Sequence, residues 1–173
     1  MTTTTETAVT TQVYRVYIKA TPEAIWDAIT KPEWTQKYGY QAPVEYDLRP
    51  GGVYRGLASE AMLAHGVEFG YEIPDVIVDG EVVEVDPPRK LVQTWRMLMD
   101  PETAAEGFTR LTWEIEGADG GVTKLTVIHE LEGAPKLAAL VGGAMADEGA
   151  GGGWSWVLSD LKTLLETGKP LAG

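Results

Sequence analysis

Two histidines are the side chains best suited to proton transfer near neutral pH, and their settings differ. His129 falls in the alternating run Leu125, Val127, His129, Leu131, so it shares a strand face with three apolar residues. An inward imidazole can act as general acid or base, or it can be a core histidine held by a hydrogen bond. No nucleophile or paired carboxylate reads nearby, and Glu130 alternates to the other face. His65 sits in a glycine-punctuated stretch and is expected in water. Arg55 and Arg96 lie within strand-like runs, where an inward guanidinium would orient a ligand carboxylate or enolate. Alternation sets Arg96 opposite Trp95; Trp95 is expected inside and Arg96 outside, while Arg55 stays open.

The aromatic set is weighted toward polar-tipped rings, with six Trp and seven Tyr against two Phe. Trp26, Trp34, Trp95, Trp113, Trp154 and Trp156 can fill a core or line a pocket for a flat apolar ligand. The absence of cysteine rules out disulfides and thiolate zinc sites, and two histidines rule out a histidine-rich metal site. No metal or cofactor is expected. A net charge of -12 disfavours nucleic acid and anionic membranes, since both ask for a basic face. The Thr-rich first ten residues do not resemble a signal peptide, and no run reaches the roughly 18 apolar residues of a membrane span. A cytoplasmic protein without membrane insertion is the expectation.

The elements that must position these residues are legible from periodicity. Trp154, Val157, Leu158, Leu161, Leu164 and Leu165 follow helical spacing and predict one long helix to Thr167. Ser155, Asp160, Lys162 and Glu166 fall mostly off that stripe and suit water. Gly168 can cap the helix and Pro170 bars continuation. Thr11 to Ala20 alternates as a strand, and Thr21-Pro22 opens a short helix. Pro32 opens a second, through Trp34 and Tyr38. Val44 to Leu48 and Val53 to Leu57 flank Arg49-Pro50-Gly51-Gly52 as a hairpin. Ala58 to Pro74 fits neither strand nor helix, and its Met62, Leu63, Phe69 and Tyr71 could form a lid or tuck onto an edge. Strands follow over Val76 to Val85, broken by a turn-like Asp79-Gly80, then Leu91 to Met99, Gly107 to Glu116 and Val122 to Leu131. Asp100-Pro101-Glu102 and Asp147-Glu148 read as surface turns, and Ala134 to Ala146 as a short helix. Six or seven strands joined by short turns predict an antiparallel sheet, and the order predicts an α+β layout curved around the long helix.

The segments Ala20 to Trp26, Arg49 to Tyr54, Gly80 to Val92 with Trp95, Thr126 to Glu130 and Gly153 to Gly168 resemble one family. It is the heat-shock protein 90 ATPase activator-like (Aha-like) group of the SRPBCC superfamily, which includes START domains and the birch-pollen allergen. The Gly80 to Pro88-Arg89 segment carries the most specific part of the likeness. The resemblance implies a helix-grip fold, an incomplete antiparallel barrel around a long C-terminal helix with a cavity between them. Length and composition predict a polar, disordered tail over 1–10, one domain over 11–168 and a short tail over 169–173. The resemblance also implies a hydrophobic ligand, lipid or polyketide-like, with Trp26, Trp34, Tyr38, Tyr54, Met62, Trp95, Met97, Trp113, His129, Trp154 and Leu158 as candidate contacts. A cavity enzyme of cyclase or hydrolase type, using His129 with a tyrosine such as Tyr54, is the alternative. A co-chaperone-like regulator acting through a protein partner is the third.

Overall fold

The computed structural model describes residues 10–144 and 152–171. The expected N-terminal tail before Thr10, Ala146, Asp147-Glu148, Gly151 and Ala172-Gly173 lie outside the described residues. Seven strands form one antiparallel sheet in the order β1-β7-β6-β5-β4-β3-β2. They are β1 (Thr11–Ile18), β2 (Val44–Tyr46), β3 (Val53–Leu57), β4 (Val76–Asp86), β5 (Lys90–Met97), β6 (Thr109–Gly117) and β7 (Thr123–Glu130). Short turns join most of them, so each strand lies beside its sequence neighbour. The exception is β1, which pairs with the last strand.

Helices cover what the sheet leaves open. After β1 come α1 (Pro22–Thr30) and α2 (Pro32–Thr35); α3 is Glu60–Phe69, α4 Pro101–Ala105, α5 Pro135–Val141 and α6 Gly153–Thr167. Thr21 caps α1 by accepting from the Ala24 N–H at 3.1 Å, and a proline occupies the first turn. The last helix, α6, ends as its sequence demands: Gly168 takes the left-handed conformation and its N–H reaches Leu164 O. Trp154, Leu158, Leu161 and Leu164 bury the inner stripe of α6. They belong to one buried cluster with Ile18, Ile25, Leu111, Ile115 and Leu125, all but fully enclosed.

Five local expectations are corrected. Ala58 to Pro74 is not an irregular loop: Glu60–Phe69 is helical, with Ser59 accepting from the Met62 N–H at 3.1 Å and Gly70 closing the end in the left-handed region. The apolar residues are poorly sorted by face, which hid the helical period. Asp79-Gly80 is no turn; β4 runs straight through it. Gly80 is needed because a Cβ there would collide with the Thr94 carbonyl of the neighbouring strand. The second short helix stops at Thr35, before Tyr38. Asp100 is not a free surface turn but the cap of α4, accepting from the Glu102 N–H at 3.2 Å. Asp160, expected in water, is buried because the backbone N–H groups of Gly39 (2.8 Å) and Leu171 (2.7 Å) both donate to its carboxylate. It ties α6 to the segment after α2 and to the chain beyond Gly168.

Candidate functional site

The helices do not fill the concave side completely. A cavity of about 560 Å3 remains under the start of α6, walled by β2 to β6, α5 and the Tyr38–Val44 segment. That volume falls within the usual range for small-molecule sites. Its surface is mainly apolar: Ile29, Ala42, Val44, Met62, Ile77, Val78, Met97, Met99, Leu140, Val141 and Val157, with seven aromatic rings. The half-exposed Tyr40, Met99, Asp100 and Lys136 mark where it meets solvent.

Three of the rings, Tyr38, Tyr46 and Trp154, stay out of the space they border because their polar ends are tethered. The Tyr38 hydroxyl donates to Ala28 O at 2.7 Å, and Tyr46 donates to Gln93 Oε1 at 2.5 Å. Trp154 Nε1 donates to His129 Nδ1 at 3.1 Å, while the ring packs at right angles to Trp113 with centroids 5.4 Å apart. Tyr46 and Tyr54, opposite each other across the β2–β3 pair, stack at 4.6 Å. Burial raises the pKa of Tyr38 and Tyr46, and pushes Tyr54 up to about 12. All three are therefore neutral phenols at pH 7, able to hydrogen-bond but not to hold a charge. At the rim, Lys136 Nζ lies 2.8 Å from Asp100 Oδ2 and also bonds Glu102. The lysine holds the Asp100 carboxyl below its ordinary range.

His129 stands behind this wall rather than in it. Its imidazole is fully buried between Trp95, at 5.3 Å, and Trp154, at 6.0 Å. The indole N–H of Trp154 makes Nδ1 the acceptor, so Nε2 carries the proton and donates to Thr109 Oγ1 at 2.7 Å. Thr109 in turn donates to Trp95 O at 2.9 Å. Both nitrogens are occupied, and burial alone lowers the pKa to about 3. The ring is neutral at physiological pH and is not among the side chains that line the cavity, a setting that suits a structural tether better than proton transfer.

Of the other candidates, Tyr38, Tyr54, Met62, Trp95, Met97, Trp113 and Trp154 border the cavity. Trp26 and Leu158 instead pack into the solid core, and Trp34 lies half-buried with Lys37 Nζ 4.8 Å above its ring. Arg96 faces outward as expected, held bidentately by Asp79 at 2.7 and 3.0 Å and lying over Phe108. Arg55 is also outside, 3.5 Å from Glu45. His65 lies on the exposed α3 beside Tyr71, bonded to its hydroxyl.

Several cavity residues escaped the sequence reading: Tyr40, Tyr46, Met99, Asp100 and Lys136 line it, and Gln93 supports it from behind. One had a signal: Gln93 interrupts the apolar face Leu91, Trp95, Met97. Tyr46 lies opposite Tyr54 in a register one residue off that of a four-residue turn over Arg49 to Gly52, which would have paired it with Arg55. Two buried polar atoms lack a partner among the described residues, Gln93 Nε2 and Trp113 Nε1. No group of three His, Asp or Glu among the described residues could hold a metal ion, and no helix there is long and apolar enough to cross a membrane.

A curved antiparallel sheet gripping a long C-terminal helix, with a hollow between them, defines a helix-grip protein. The chain belongs to the family described as Activator of Hsp90 ATPase homolog 1-like protein, whose model matches residues 19–166. Among solved structures it is similar to the Aha1 dimer from Colwellia psychrerythraea, at 18% identity over 92% of this chain and 98% of that one, TM-score 0.61. It is likewise similar to PFC0360w, an HSP90 activator from Plasmodium falciparum, at 18% identity over 90% and 96%, TM-score 0.60. CalU16 from Micromonospora echinospora matches at 18% identity over 94% and 69%, TM-score 0.61. At such identities the likeness establishes the fold alone. No curated protein sequence matches the chain.

Proposed function

We propose that this protein binds a hydrophobic small molecule, aromatic or lipid-like, in the cavity under α6. The observation that carries this reading is the cavity itself: about 560 Å3, open at one rim and walled by apolar and aromatic side chains whose tethers keep it from collapsing. Desolvating an apolar ligand there supplies the driving force, roughly 25 cal/mol per Å2 of buried apolar surface. Trp95, Trp113 and Trp154 would report occupancy through their fluorescence. The neutral probe N-phenyl-1-naphthylamine should bind, brighten and quench the tryptophans. Val78→Trp, which fills the cavity from β4, should abolish that response while the protein stays folded. Equal probe binding by the filled variant, or none by the native protein, would remove the proposal.

A second reading, a regulator acting on a chaperone, is favoured by the family's name and by the apolar side chains that α3 leaves exposed at Val67 and Phe69. Co-precipitation with the host's Hsp90, lost in Val67→Glu/Phe69→Glu, would support it. Failure of the native protein to associate at micromolar concentration would reject it.

A further inference from the structure

The mouth of the cavity indicates how its ligand ends. This inference rests on the small-molecule reading above and narrows it. The two charged side chains that line the cavity, Asp100 and Lys136, stand at its solvent rim, which Tyr40 shares. Lys136 is set in place by its backbone: its own N–H and that of Leu137 donate to the Glu106 carboxylate at 3.0 and 2.9 Å. Its ammonium has three N–H donors. One lies 2.8 Å from Asp100 Oδ2, a second bonds Glu102, and the third has no acceptor among the described residues. The two carboxylates are held differently. Asp100 is engaged on both oxygens, since Oδ1 also accepts the Glu102 N–H at 3.2 Å. The Glu102 side chain is 78% exposed and has only the lysine, and an ion pair so placed is worth little. Tyr40 adds a donor. Its hydroxyl accepts from the Gly153 N–H at 3.2 Å, and its own proton has no acceptor among the described residues. A hydroxyl that accepts one bond becomes a stronger donor in the next.

We propose that the ligand is a carboxylic acid on an apolar body, seated body inward, with its carboxylate at the rim on Lys136 and Tyr40. The carboxylate takes the free N–H of Lys136 and the place of Glu102, which turns out to water. The lysine stem, whose methylenes line the wall, covers the apolar body while the ammonium meets the head. Charge-assisted bonds of this kind are the stronger class of hydrogen bond. A ligand ammonium fits less well, because it would have to break the Asp100 pair and would face Lys136 itself. The net charge of -12 repels an anion on approach, but charges more than about 8 Å away are largely screened at physiological ionic strength. The contacts at the rim therefore decide the affinity.

The test displaces N-phenyl-1-naphthylamine with decanoic acid, decan-1-ol or decylamine, one apolar chain with three different ends. Each result is the affinity relative to decan-1-ol, and comparing native with variant cancels the different partition of the three from water. The acid-to-alcohol ratio should fall about three- to tenfold in Lys136→Met and hold in Lys136→Arg. It should rise in Glu102→Gln, which removes the competing carboxylate. Damage to packing would not move the two variants in opposite directions. Decanoate labelled with carbon-13 at the carboxyl should titrate at lower pH when bound to the native protein than when free, and this shift should vanish in Lys136→Met. An unchanged ratio in Lys136→Met and Glu102→Gln, with no shift in the titration, would overturn the carboxylate assignment while displacement by decan-1-ol keeps the cavity reading. A larger ratio for decylamine than for decanoic acid would overturn it in favour of a cationic head. If the fluorescent probe itself does not bind, both readings fail. Should Lys136→Met not fold, Glu102→Gln and the carboxyl titration in the native protein decide.

Discussion

The concave side of the sheet has a solid half and a hollow half, built from the same seven strands. Under β1, β6 and β7 the space is filled by Ile18, Ile25, Leu111, Ile115, Leu125 and Leu161, branched aliphatic side chains that interdigitate from three directions. Under β2 to β5 the space is bordered by tyrosine, tryptophan and methionine among aliphatic side chains and stays open. The difference lies in the tethered rings of the hollow half. An aliphatic side chain has no polar end and rotates into whatever room exists, so it closes gaps. A tethered ring does not: Tyr38 is fastened to Ala28, Tyr46 to Gln93 and Trp154 to His129. His129 stands on the boundary, its buried bonds holding the indole that separates the two halves.

If this contrast is right, truncation should be costly on one side and cheap on the other. Leu161→Ala should destabilise by about 2–5 kcal/mol in urea unfolding, since it opens a void in the solid half, and it should leave ligand affinity nearly intact. Asp160→Ala would strip the N–H groups of Gly39 and Leu171 of their acceptor and loosen the α6 anchor at about 1–3 kcal/mol, again by urea unfolding.

His129 tests the boundary through pH. Its folded pKa of about 3 lies below the unfolded value of 6.5, so the unfolded chain binds the proton first as pH falls. Its contribution is complete above pH 6.5 and drains away toward pH 3. Between pH 7 and pH 5 the native protein should therefore lose about 2 kcal/mol that His129→Gln does not lose. Equal pH profiles for the two proteins would show that this ring is not held neutral. The smallest effect belongs to the hollow half. Met97→Ala removes a side chain already facing open space, so unfolding should change by less than about 1.5 kcal/mol while probe affinity falls measurably. A loss as large as that of Leu161→Ala would erase the distinction.

Much of this architecture is readable in one dimension. The long helix, the Arg49 to Gly52 hairpin turn, the alternation that sends Trp95 in and Arg96 out, and the grip itself follow from periodicity, capping residues and the family's motifs. Each depends on neighbours a few residues apart, where backbone geometry dictates side-chain direction. The α3 helix escaped because its apolar residues do not segregate to one face, so only its caps at Ser59 and Gly70 announced it.

What the chain determined by itself, then, was which residues turn inward; what they meet there was decided by the tertiary structure. His129 faces inward on any reading of β7, but Thr109 and Trp154, brought from β6 and α6, make it a buried tether rather than an acid or base. Asp160 looks like a solvent residue on a helix face until Gly39 and Leu171, distant in sequence, close over it. Gln93 is one polar residue in an apolar strand until Tyr46, from β2, brings its hydroxyl to it. Local spacing orients a side chain, whereas hydrogen-bond partners and empty volume depend on segments that only folding brings together.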